Sequence, residues 1–191
     1  MEEVTSSLSG IASQAAQRHG LPFQLVIAIL QYESTGDVWA WNPEPRYRWL
    51  WNVKTNQPFR ELTPAEASSE SPPKDFPCLR GDRDQEWWGQ QASWGAMQLM
   101  GAVGRELGFR GPYLTQLCDH VLNIPLGCLH LRKLALRFLP THGWAGVCAA
   151  YNGGPGALLG PGQFRNPQYP AKIKLILGEW PEAVLTKAVT A

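Results

Sequence analysis

Glu33 closes an apolar run, and what a carboxyl group can do there is the first chemistry the chain offers. In LPFQLVIAILQYESTG, residues 21 to 36, Leu25, Ile29 and Tyr32 recur at helical spacing, Pro22 suits the first turn of a helix and Gly36 suits its end. A carboxyl group ending a buried helix meets apolar surroundings and the negative end of the helix dipole, and both raise its pKa. Keeping its proton near neutral pH, it can act as a general acid. Taken alone, the pattern also fits a helix-terminal glutamate facing solvent.

Three further motifs follow in order: Gly95-Ala96-Met97-Gln98-Leu99-Met100, then Asn123-Ile124 with Gly127, then Ala150-Tyr151-Asn152-Gly153-Gly154-Pro155-Gly156. With Glu33-Ser34 they resemble the SLT-type lytic transglycosylases, lysozyme-superfamily enzymes that cleave peptidoglycan, and more distantly goose-type lysozyme. The resemblance runs over about residues 11 to 176, apart from a long insert. It implies one mainly α-helical, lysozyme-like domain over 1–191, with an aromatic-rich insert at about 41–91 that has room for a small β-hairpin. It also implies that Glu33 is the sole catalytic acid and base. Glu33 would protonate the oxygen between N-acetylmuramic acid and N-acetylglucosamine, then take the proton of the muramic C6 hydroxyl as a 1,6-anhydro ring closes. One carboxyl group suffices because the nucleophile belongs to the substrate.

By the same resemblance Gln98 and Met100 line the cleft, and the Tyr151 hydroxyl lies near the catalytic carboxyl. Asn152 binds acetamide groups or caps its turn. Met97 and Leu99 are expected in the core. Many relatives carry a serine where this chain has Gly89, and Ser34 or Ser93 are the candidates to replace it. A hydrolase would need a second carboxylate about 5–10 Å from the first. The goose-type pattern puts its extra acids at the positions of Gly89 and Met100, where both are missing, so a transglycosylase is favoured over a muramidase. Asp37, Asp82, Asp84 and Glu86 are the acids a muramidase would have to recruit. A third alternative is a glycan-binding or virion structural protein without turnover.

These motifs need helices to carry them. Residues 4 to 18 read as an amphipathic helix with Val4, Leu8, Ile11, Ala12, Ala15 and Ala16 on one side, ending near His19-Gly20. Between residues 41 and 91 the texture turns to proline, aromatic and β-forming residues, with a turn at Asn56-Gln57-Pro58 and a capping box at Thr63-Pro64-Ala65-Glu66. Residues 68 to 77 read as loop, and the insert is expected to form a wall of the substrate groove or a flap over the core. Residues 102–107 and 113–118 are short helices, and 119–138 a long one with Val121, Leu122, Pro125, Leu129, Leu136 and Phe138 as candidate core. Pro125 places its start at Leu122 or Asn123, with Asn123 near the cap. Residues 144–151 and 168–180 complete the set.

The formal charge is +1 and basic residues are scattered among acidic ones, which argues against a nucleic-acid partner. Of nine tryptophans most lie between the first two motifs. For Trp88 and Trp94, stacking on sugar faces and packing in the core remain equal alternatives. Four cysteines at 78, 118, 128 and 148 lack framework spacing and are expected as free thiols. Cys118-x-His120 and Cys128-x-His130 would project to nearly opposite sides of a helix, so no metal or other cofactor is expected. The start MEEVTSSLSG is not a signal sequence, and no apolar run suits membrane insertion. The expectation is a monomer of phage or prophage origin, released by a holin or carried in a virion.

Overall fold

The computed structural model describes residues 2–80 and 82–187, with side chains from Leu8 onward, so Val4 lies outside the described side chains. The chain divides into two compact units, Met1–Gly36 with Gly127–Ala191, and Asp37–Leu126. In the first, α1 (Glu2–His19) and α2 (Phe23–Ser34) are joined by a turn in which Gly20 takes φ +61°. Pro22 is the N-cap of α2, one place before the first turn. Ala12, Ala15 and Ala16 of α1 are buried, as are Leu25, Val26 and Ile29 of α2. The two helices pack together. Tyr32 departs from the expected stripe and is exposed.

The second unit opens with β1 (Trp41–Pro43), followed by a hairpin of β2 (Trp51–Asn52) and β3 (Gln57–Pro58). Asn52 Oδ1 accepts the Lys54 and Thr55 amides while Asn56 adopts φ +56°, so the hairpin turns over residues 53–56, and Gln57 and Pro58 of the expected turn belong to β3 instead. Helix α3 (Pro64–Ala67) has its capping box, with the Glu66 amide donating to Thr63 Oγ1 and the Thr63 amide to Glu66 Oε2. Helix α4 (Arg83–Gln90) was not anticipated; Asp82 caps it by accepting the Gln85 amide at 3.0 Å. The Asp82-x-x-Gln85 spacing was the available signal.

Strands β4 (Ala92–Trp94) and β5 (Leu99–Met100) form an antiparallel sheet with β1 in the order β1-β4-β5, so the second motif is the connection of a hairpin. Trp41 pairs with Trp94, and Trp94 with Leu99. Helix α5 (Gly101–Glu106) and a 3-10 turn at Leu114–Cys118 follow, close to the expected segments. Met97 and Leu99 are buried, as anticipated.

Helix α6 (His120–Gly153) begins in the second unit and carries the chain into the first. It starts before the expected point. Asp119 Oδ1 accepts the Val121 amide, and the Asp119 carbonyl accepts the amides of Leu122 and Asn123. Asn123 is therefore inside the helix and fully buried, not at its cap. Pro125 lies in the second turn and gives up the bond its amide would have made to Val121. The buried stripe is Ile124, Cys128, Leu131, Ala135 and Phe138, whereas Val121, Leu122 and Leu136 are exposed. Small apolar residues, Cys128 and Ala135, set the phase of that face, and the larger aliphatic residues misled the expectation. At Gly143, φ +61° and ψ −173° break the helix, so residues 144–153 form a second limb as anticipated. A turn over Pro155–Ala157, a hairpin of β6 (Leu158–Gly160) and β7 (Gln163–Phe164), and α7 (Gln168–Leu177) packed on α2 complete this unit.

Candidate active site

The end of α2 is held by its own last residues. Ser34 Oγ donates to the Leu30 carbonyl at 3.3 Å and accepts the Gly36 amide at 3.1 Å, while Thr35 takes a left-handed φ of +55°. This turn leaves Glu33 half-buried. The Tyr169 hydroxyl, from the first turn of α7, donates to Glu33 Oε1 at 2.5 Å. Tyr169 is 1% exposed and meets the Tyr32 ring edge to face at 5.1 Å.

Burial raises the Glu33 pKa to about 7, against the opposing pull of the Tyr169 hydrogen bond. Its neighbours do not restore the charge. Burial and the Glu33 charge push the Tyr151 and Tyr169 phenols well above their ordinary value. Burial holds His130, whose ring lies 5.4 Å from that of Tyr151, down at about 4. Burial also pushes the Cys128 thiol to about 12 and the Cys148 thiol upward. These phenols, imidazole and thiols are all uncharged near neutral pH, so Glu33 is a carboxyl group poised to gain or lose one proton in that range.

Of the residues singled out in sequence, Glu33, Ser34, Tyr151 and Asn152 belong to this unit. Tyr151 couples electrostatically to Glu33. Asn152 is exposed, and its Oδ1 accepts from Asn166 Nδ2 at 3.0 Å. The residue that holds the carboxyl group directly, Tyr169, went unnoticed because it lies in no motif, 136 positions from Glu33. Its one local signal was an aromatic residue in the first turn of an amphipathic helix.

The other candidates belong to the second unit. Gln98 adopts φ +47°, donates through Nε2 to the carbonyls of Ala40 (3.1 Å) and Gly95 (3.0 Å), and accepts from Ser93 Oγ at 3.1 Å. Asn123 clamps the same connection, donating to the Trp94 carbonyl at 2.7 Å and accepting the Met97 amide at 2.8 Å. Met100 is half-buried where β5 meets α5, Trp94 is in the core, and Trp88 is exposed. At Gly89 an added Cβ would lie 2.7 Å from Leu114 Cδ1 and 3.0 Å from Leu114 Cβ.

Three of the four acids considered as partners for Glu33 are already engaged. Glu86 is buried and receives both Arg105 Nε and Nη2 at 2.8 Å, with Gln90 Nε2 adding a third bond at 2.9 Å. Asp82 caps α4, and Asp37 Oδ1 accepts the Trp39 amide. Among the described residues no group of three or more His, Cys, Asp or Glu side chains is arranged to hold a metal ion, and no helix is long and apolar enough to cross a membrane.

Residues 10–168 match the transglycosylase SLT domain model, and the chain belongs to that family. The mainly helical architecture agrees with the lysozyme-like fold this implies. In general terms the protein is a peptidoglycan lytic transglycosylase. No curated protein gives a significant match.

Proposed function

We propose that the protein cleaves the MurNAc–GlcNAc β-1,4 bond of peptidoglycan with Glu33 as general acid and then base. The observation that carries this is the half-buried Glu33 carboxyl group, held by Tyr169 at 2.5 Å and protonated up to about pH 7 by burial. Its proton goes to the glycosidic oxygen as the C1–O bond breaks. The resulting carboxylate then removes the proton of the muramic C6 hydroxyl, O6 bonds to C1, and Glu33 is protonated again. No water is consumed and no second carboxylate is required. Gln98, Met100 and Asn152 are assigned to sugar binding, and Tyr151 and Tyr169 to holding the acid through its change of charge.

A goose-type-like muramidase is the second reading, and it is weakened by Glu86, whose carboxylate is consumed by Arg105. Mass spectrometry of digested sacculi decides between them. Anhydro-muropeptides, one water lighter than reducing-end products, are expected, and reducing ends alone would establish the hydrolase. Glu33→Gln should lower the rate by about 10²–10⁴-fold. Wild-type turnover in that variant would remove Glu33 from the reaction.

A further inference from the structure

The second unit holds an aromatic pocket built from its own residues. Trp87 and Trp88 are neighbours on α4 with opposite fates: Trp87 is buried against Phe76, and Trp88 is 41% exposed. Across the sheet Trp41 is 58% exposed, with its ring centroid 6.2 Å from that of the buried Trp94. Adjacent residues on a strand project to opposite faces. Ser93 points to Gln98, and Trp94 therefore points to the other side of the sheet.

Trp41, Trp88, Trp94 and Leu114 line an open pocket of about 160 Å³, with Gln85, Gly89 and Thr115 at its wall. It is comparable to an engineered cavity of ~150 Å³ that admits a benzene ring. Trp94 Nε1 donates to the Gly89 carbonyl at 2.9 Å, so its polar edge is spent and it offers only a ring face. No charged side chain is among the lining residues.

A fitting occupant presents flat C–H faces to a mainly apolar, tryptophan-rich wall, and the polar residues it meets, Gln85 and Thr115, are neutral. A pyranose ring with an acetamido substituent fits this description. A peptidoglycan stem peptide carries carboxylates, and the pocket has no cation to receive them. We propose that the Trp41–Trp88–Trp94 pocket is an auxiliary binding site for N-acetylglucosamine residues of the glycan strand. The choice of polymer rests on the peptidoglycan reading above, but occupancy of the pocket does not depend on Glu33.

The test uses the full chain labelled with 5-fluorotryptophan and carrying Glu33→Gln, titrated with tri-N-acetylchitotriose and followed by ¹⁹F NMR. The Trp41 and Trp88 resonances should shift saturably while that of the buried Trp144 stays in place. In calorimetry Trp41→Ala and Trp88→Ala should each weaken binding by about 3- to 10-fold, the loss of one ring contact. Thr115→Phe, which narrows the pocket and leaves the tryptophans in place, should weaken it as well. Unmoved Trp41 and Trp88 resonances, or stronger shifts with a free stem pentapeptide, would overturn the assignment. Product analysis of the wild type separates this from the reaction: reducing-end products with tryptophan-dependent binding would sink the transglycosylase chemistry and leave the pocket standing.

Discussion

Glu33 and Tyr169 form a pair in which one group titrates and the other restrains it. The Tyr169 hydrogen bond stabilises the carboxylate and so lowers a pKa that burial raises. Tyr169→Phe should therefore move the Glu33 pKa further up. The alkaline limb of kcat/KM, expected near pH 7 for the wild type, should shift to higher pH in the variant. The rate should fall about 10- to 100-fold, the worth of a hydrogen bond to a charged group. A pH–rate profile checks both, and a purely structural role for Tyr169 would leave the limb in place. The same pKa has a consequence for stability. The folded protein keeps the Glu33 proton up to about 7 and the unfolded chain releases it near 4.5, so between these values the unfolded chain binds fewer protons. Stability must then fall as pH rises through that window. Glu33→Gln lacks this penalty, and its Tm relative to wild type should increase between pH 4 and pH 8 in thermal melts.

Elements, rather than single contacts, hold the second motif. The connection from β4 to β5 is tied down by Asn123, a residue of α6 whose two amide bonds satisfy a buried carbonyl and a buried amide. Gly95, at φ +67°, lies so close that an added Cβ would meet the Leu117 carbonyl oxygen at 2.6 Å and Asn123 Nδ2 at 2.8 Å. Asn123→Ala should destabilise the protein by about 2–4 kcal/mol, since it strands both partners without water. Chemical denaturation measures this, and a loss under about 0.5 kcal/mol would mean the clamp is dispensable. The buried pair of Glu86 and Arg105 ties α4 to α5 in the same way, with Arg105 also donating to the Phe109 and Gly111 carbonyls. An unaccompanied loss of either partner leaves a buried charge, which is why Glu86 is poorly suited to a catalytic role.

For the molecule as a whole, the thiols report directly on packing. Cys118, Cys128 and Cys148 are buried and free, and Cys78 is half-buried. Alkylation of the native protein should modify Cys78, and Cys118, Cys128 and Cys148 should react only on unfolding. Counting labels by mass spectrometry before and after denaturant checks this. Reductant should leave Tm unchanged, since no covalent link among these cysteines stabilises the fold. Rapid labelling of Cys128 or Cys148 in the native protein would show that the core around Tyr151 opens readily.

Local chemistry made much of this legible. The helix bearing Glu33, its termination, the capping box at Thr63, the hairpin after Trp51 and the short helix ending before Gly108 all follow from interactions within a few residues, which a sequence displays. The family motifs, too, are short and continuous. Long-range return of the chain was not legible. Tyr169 reaches Glu33 because α7 packs on α2, Asn123 became a clamp rather than a cap because the β4–β5 connection lies against it, and Glu86 lost its candidacy to an arginine 19 positions away. Periodicity also failed on α6, where small residues set the buried face, since burial depends on the space a neighbouring element leaves and not on the size of the side chain alone.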